Sequence, residues 1–432
     1  MVTSVQSNVT SSNGAARGGS LEPLNPFTPA FRADPYAVYH TYRSQEPVHW
    51  GMPTTPWWSG SWYLTRYADI VTVLKDPRFG KEIHHLLSPE ELPVVPPEYA
   101  FLDQLMSDWM LFRDPPDHTR LRGLVQRAFT PRMLNRVRPR IVDIAHNLLD
   151  RVQHYGQMDL ITDFAFPLPV MAIAELLGVP VENHAQFRQW AQSLIAVIDL
   201  KQTEEEESYR RGRQAAMEVS AYLQRLIVEK RQCPQDDLLS TLIAVEAEGE
   251  RLSEAELLAT CLLLLLAGHE TTVNLIGNGM LALLRHPEQL AMLRTNLAHL
   301  PTAIEELLRY DSPVQLTTRY AMVDTDLDGK TMRKGEQVCL VLGAANRDPE
   351  QFLNPDRLDI TRSPNRHLSF GLGVHFCLGA FLARLEAQIA FEMLLHRLAN
   401  VELQTDTPAW RETIALRGLK ALPVSFSVQR CA

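Results

Sequence analysis

From Pro116 onward, apolar residues recur at three- and four-residue intervals, interrupted by short polar or Pro/Gly-bearing stretches. That spacing predicts helices rather than strands. They cover 117–129, 133–155, 167–177, 183–199, 206–231, 253–285, 287–296, 300–310 and 378–399, with Asp117 placed to cap the first. Upstream the pattern differs. Trp62 to Thr65 reads as a strand, in an aromatic region that includes Trp57-Trp58, and Ala68 to Leu74 reads as a short helix ended before Pro77. Between 81 and 112 the periodicity is lost, with Pro93, Pro96 and Pro97 as punctuation, so a long loop with short helical pieces is expected. A strand-rich stretch covers 314–342, with turns at Asp328-Gly329 and Lys334-Gly335, and the last thirty residues read as short strands. No internal repeat is visible. The fold class is mainly α with a minor β-sheet region.

The first 22 residues are rich in Ser, Asn, Thr and Gly and lack an apolar h-region, so they are expected to form a disordered tail, with 23–432 as a single domain. A hydrophobic content of 45% and a charged content of 22% are ordinary for a globule, and the net charge of −9 argues against nucleic acid as a partner. The strongest apolar run, Cys261 to Ala267, is too short to span a bilayer. Five widely spaced cysteines, with no C-x-x-C, form neither a disulfide framework nor a zinc-finger pattern, and a reducing cytoplasmic setting fits them.

Chemistry concentrates around one cysteine, in Phe370-Gly371-Leu372-Gly373-Val374-His375-Phe376-Cys377-Leu378-Gly379. Gly371 and Gly373 permit a tight turn at positive φ and close approach by a flat ligand. A cysteine just ahead of a helix start gains from unpaired N–H groups, which favour thiolate over thiol. A lone cysteine in a turn is more often structural; a thiolate beneath a flat cofactor points to haem. Upstream, Ala267-Gly268-His269-Glu270-Thr271-Thr272 places polar groups inside an apolar helix. There Thr271 can bond back to the Ala267 carbonyl and open a kink, and Glu270 can carry protons. The bland alternative is a surface acid or a helix boundary. Glu306 and Arg309 share a helix face, and taken alone would be an exposed ion pair.

The pattern Phe-x-x-Gly-x-His-x-Cys-x-Gly resembles the haem-binding loop of the cytochrome P450 family, and three further motifs of that family lie upstream in order, so that the resemblance runs from about Pro23 to Phe426. It implies the cytochrome P450 fold, haem b (iron protoporphyrin IX) and a haem-thiolate monooxygenase of the soluble bacterial type. By this resemblance Cys377 is the iron ligand, Glu270 and Thr271 the acid–alcohol pair of proton delivery, and His118, Arg122, Arg319 and His375 the propionate-binding groups. Glu306, Arg309 and Arg357 are the structural triad, although Leu358 stands where the family often has Phe. The substrate pocket falls on Leu263, Leu266, Ala267, Leu316 and Thr317, with loop residues near 106–110 and 195–198, and implies an apolar small-molecule substrate. No flavin or iron–sulfur segment is visible, so a ferredoxin and a ferredoxin reductase are the expected electron donors. The arginines at 120, 127, 132, 136, 138 and 140 form the expected docking patch. Epoxidation, oxidative coupling or peroxygenase chemistry would use the same haem site, and a haem sensor or carrier is the non-enzymatic alternative. His84-His85, the acidic run 204–207 and Cys233-Pro234 are read as solvated or incidental.

Overall fold

A computed structural model describes residues 21–428 except 55–58, 89, 91, 93–99, 199–205 and 246–248. Most of the expected N-terminal tail, Trp57-Trp58 and the three loop prolines therefore lie outside the described residues, as do the side chains at 195–198.

The long helices form where the periodicity places them. Pro167–Leu177 matches its expected span: Pro167 opens it and Gly178, in the left-handed region at φ 68°, closes it. Glu254–Arg285 is held at its start by a reciprocal pair, in which Ser253 accepts from the Glu256 N–H while Glu256 accepts from the Ser253 N–H. By length and composition this helix is apolar enough to cross a membrane, but most of its side chains are buried among other helices, as in the core helix of a globule. It packs on Pro167–Leu177, Ala380–Arg397 and Leu300–Tyr310. Gly268 lets the first of these neighbours approach, because a Cβ there would stand 2.8 Å from Ile173 Cδ1.

Some boundaries differ from expectation. Asp117 does not cap its helix; Pro116 occupies that position and Asp117 lies in the first turn of Asp117–Ala128. The next helix runs Pro131–Val152, capped by the Thr130 hydroxyl accepting from the Met133 N–H. Pro29–Ala33, Pro35–Gln45 and Leu238–Ala244 have no counterpart in the periodicity, being short and led by Pro or by the cap Asp237. The 81–112 loop contains the expected helical pieces, Ala100–Ser107 and Met110–Phe112.

The larger sheet has five strands, in the order Val48–Gly51, Ser61–Leu64, Gln337–Leu340, Thr317–Ala321 and Phe79–Gly80. Ser61–Leu64 runs parallel to Gln337–Leu340, with Leu64 opposite Leu340; the other pairings are antiparallel. Thr325–Leu327 and Lys330–Met332 form a hairpin whose two-residue turn, Asp328-Gly329, has both φ positive. This sheet brings Lys81, at the end of one edge strand, beside Thr317 and Arg319 on the next.

Candidate active site

The loop before Ala380–Arg397 folds as its glycines predict. Gly371 and Gly373 have φ of 69° and 73°, and a Cβ on Gly373 would lie 2.6 Å from the Leu74 carbonyl. A single turn, Gly373–His375, follows, and the Cys377 N–H donates to the Phe370 carbonyl at 2.9 Å. Cys377 is partly exposed, just ahead of a helix whose N-cap is Gly379. One expectation is reversed here. Burial pushes the Cys377 thiol up from its ordinary pKa, outweighing the Gly379 N–H and the Arg122 and Arg384 guanidiniums that pull it down. The helix start alone does not make this sulfur a thiolate; a bound metal ion would deprotonate it outright.

The four expected propionate-binding groups gather on one side of this loop. The His118 and His375 rings lie 4.2 Å apart, and His375 Nε2 stands 3.9 Å from Asp114 Oδ1, too far for a hydrogen bond. His118 Nδ1 and His375 Nε2 are buried without a partner. Burial, together with His375 and Arg122, lowers the His118 pKa to about 4. Arg319 is almost fully buried, and burial lowers its pKa to about 10. Arg122 acts on Cys377 itself.

Within Glu254–Arg285, every residue from Ala259 to Leu283 is buried except Leu264, Ala267, Gly268 and Thr271. Those four follow i, i+3, i+4, i+7 spacing, so a single accessible stripe crosses an otherwise enclosed helix. The Thr271 hydroxyl donates to the Ala267 carbonyl at 3.0 Å, as expected, within a helix that is continuous from Glu254 to Arg285. Glu270 points away from the stripe. It is buried, and Arg411 Nη1 meets its Oε1 at 2.9 Å while Oε2 has no partner. Burial outweighs Arg411 and holds this carboxyl above its ordinary pKa. Beside it His269, fully buried and edge-on to Phe166, is held neutral by burial at about 3. Arg411 carried no sequence signal, since nothing in its neighbourhood marks it as the partner of an acid 141 positions earlier.

Leu263, Leu266 and Leu316 are buried and apolar, as a substrate wall requires. Thr317 is different: its hydroxyl accepts from Lys81 Nζ at 3.2 Å and lies 3.5 Å from Arg319 Nη1, which ties it to the cations. The Glu306–Arg309 pair is not exposed but fully buried, with Nε–Oε2 at 2.7 Å and Nη2–Oε1 at 2.8 Å. Its third member is Arg362, whose Nε donates to Glu306 Oε2 at 3.0 Å. Arg357 offers only its carbonyl, to Arg309 and Arg362, while its side chain is exposed. The expected triad therefore takes Arg362 in place of Arg357.

The arginine patch is also partly committed. Arg120 pairs with Glu256 and Arg136 with Asp236, whereas Arg132, Arg138 and Arg140 are exposed. Among the described residues no group of three or more His, Cys, Asp or Glu side chains could hold a free metal ion, and His84 and His85 are exposed.

The donor set fits haem. Two imidazoles with unpartnered buried nitrogens, the buried Arg319 and the half-buried Arg122 face the same region, close to a cysteine set in a loop that admits flat ligands. Comparison with known proteins agrees. The Cytochrome P450 family matches residues 62–425. The Biotin biosynthesis cytochrome P450 of Bacillus subtilis (strain 168) is 46% identical over 92% of this chain and 97% of its own. The Polyketide biosynthesis cytochrome P450 PksS of the same organism is 41% identical over 94% and 98%. A crystal structure of P450BioI in complex with hexadec-9Z-enoic acid ligated acyl carrier protein superposes with a TM-score of 0.83, at 45% identity, over 92% of this chain and 99% of that one. The chain belongs to the cytochrome P450 family. It is a P450 monooxygenase with bacterial biosynthetic relatives, and its family uses haem and depends on redox partners.

Proposed function

We propose that this P450 hydroxylates a long apolar substrate, with Cys377 as the iron ligand of haem b and with electrons from a separate ferredoxin and its reductase in the cytoplasm. The observation that carries the substrate class is the accessible stripe Leu264, Ala267, Gly268 and Thr271, which offers aliphatic surface and a single hydroxyl. Haem, when bound, supplies the reductive activation of dioxygen. The protein's part is to hold and move protons and to exclude water. Thr271, anchored to Ala267, presents its hydroxyl on the stripe, and Glu270 lies behind it with burial raising its pKa above the ordinary carboxylate value, which suits it to exchange protons. The buried leucines Leu263, Leu266 and Leu316 keep the substrate dry. An acyl chain is the first substrate to try, as the P450BioI relative was crystallised with one on its carrier protein.

For the electron donor, the surface beside the cysteine loop supports docking of an acidic carrier. Val374, Phe376 and Phe381 are exposed apolar side chains there. The helices Ala380–Arg397 and Pro131–Val152 pack together, and their C-terminal ends are joined by Arg397 to Asp150 at 2.6 Å. Exposed Arg132, Arg138 and Arg140 lie on the second of them.

The test is spectroscopic. Purified protein is titrated with C12–C18 fatty acids and read for the shift that accompanies displacement of water from iron, then supplied with ferredoxin, reductase and NADPH. Hydroxylated product is expected, with none from hydrogen peroxide alone. Product from peroxide alone would make it a peroxygenase; a shift without turnover under either regime would make it a haem sensor or carrier.

A further inference from the structure

Lys81 lies in a loop whose sequence singles out nothing, yet it is only 8% exposed. Its backbone N–H and that of Glu82 donate to the Asp114 carboxylate, at 2.8–2.9 Å, so the nearest acid is committed to the main chain. The Lys81 ammonium turns instead to the Thr317 hydroxyl at 3.2 Å, which Arg319 Nη1 approaches to 3.5 Å. Among the described residues, neither Lys81 nor Arg319 has a carboxylate within ion-pair distance. Two buried cations converging on one hydroxyl repel each other and are both costly to desolvate. An arrangement of that kind is stabilised by an anion placed between them. Arg319 and His375 already belong to the cradle, and Lys81 and Arg319 both bear on the His375 ring.

We propose that Lys81 is a further haem-holding residue, pairing with a propionate together with Arg319 and the Thr317 hydroxyl. This rests on the assignment of the site to haem. Thr317 then belongs to the carboxylate cradle rather than to the substrate wall. Lys81 precedes Arg122 by 41 positions and is delivered by the edge strand Phe79–Gly80, whose pairing with Thr317–Ala321 fixes its position.

The experiment separates the carboxylate from everything else. Apoprotein of the wild type, Lys81→Met and Lys81→Arg is loaded with haem or with haem dimethyl ester, whose propionates carry no charge. Loss to excess apomyoglobin is then followed by absorbance. With haem, Lys81→Met should release the group at least about tenfold faster, as expected for a lost charged hydrogen bond. Lys81→Arg should stay near the wild type. With the dimethyl ester, the wild type and Lys81→Met should release at the same rate. An equal acceleration with both haems would mean that Lys81 only packs, and would overturn the proposal. Unchanged haem release, with weaker binding of a fatty acid but not of the matching primary alcohol, would overturn it in favour of a substrate anchor. Should Lys81→Met not fold, Lys81→Gln takes its place and is judged by the same comparison of haem with its dimethyl ester. Failure of the wild type to take up haem at all would instead refute the haem assignment.

Discussion

Replacing Glu386 by Gln should flatten the pH dependence of stability. Glu386 lies on Ala380–Arg397, fully buried, and neither carboxylate oxygen has a partner. Burial pushes its pKa from 4.5 to about 8; Thr272 opposes the shift, but its hydroxyl is committed to the Gly268 carbonyl at 3.3 Å. The native chain therefore keeps a proton that the unfolded chain releases. Below the unfolded value both states are protonated and the contribution is fully present; as pH rises toward 8 it is lost. At 1.36 kcal/mol per unit, the whole shift corresponds to roughly 5 kcal/mol, and the interval from pH 6 to 8.5 to about 3 kcal/mol. The assay is urea unfolding of the ferric holoprotein at both pH values, for wild type and Glu386→Gln. The wild type should lose about 3 kcal/mol more than the variant over that interval, whatever the amide itself costs, because Gln carries no proton to release. Parallel losses in the two proteins would show that Glu386 is ionised in the fold, and would refute the reasoning.

Thr271→Ala should leave haem content near the wild type but lower product formed per NADPH consumed several-fold, with the difference appearing as peroxide; unchanged coupling would leave Thr271 a packing residue. Cys377→Ala should abolish the absorption typical of reduced, carbon-monoxide-bound haem-thiolate proteins, and survival of that band would disprove the ligand assignment. Arg362→Ala should cost about 2 kcal/mol by urea unfolding, whereas Arg357→Ala should stay within about 0.5 kcal/mol, and equal effects would contradict the corrected triad. Arg132→Glu with Arg140→Glu should slow reduction by an acidic ferredoxin and weaken its salt dependence without altering substrate-induced spectra; rates indifferent to both would make this a merely solvated face.

What the chain disclosed beforehand was governed by distance along it. Helices with local signals were legible, as where Pro167 opens one and Gly178 closes it. The cysteine loop was legible because its glycines, histidine and cysteine are contiguous. Partnerships formed across the fold were not. Arg411 meets Glu270 only through the tertiary arrangement, and Arg362 displaces Arg357 by a turn of loop that periodicity does not describe. Lys81 and Glu386 are polar residues in ordinary company, and only burial makes them notable. Burial also decided the Cys377 thiol, where a local argument from the helix start gave the opposite direction.

The parallel pairing of Ser61–Leu64 with Gln337–Leu340 sets an order of events during synthesis. At about 5–20 residues per second, a ribosome needs roughly 15–60 s to pass from Leu64 to its neighbour Leu340, and Ser61–Leu64 has only the Val48–Gly51 hairpin partner until then. The cradle is staggered in the same way, with His118 made early, Arg319 late and Cys377 later still. With Cys377 as the proposed iron ligand, a nascent chain stalled before it would carry the proposed partners of the cofactor's carboxylates but nothing to grip its iron. On that assignment stable loading would be an event of the nearly finished polypeptide, and an expressed protein truncated upstream of that loop is expected to be colourless.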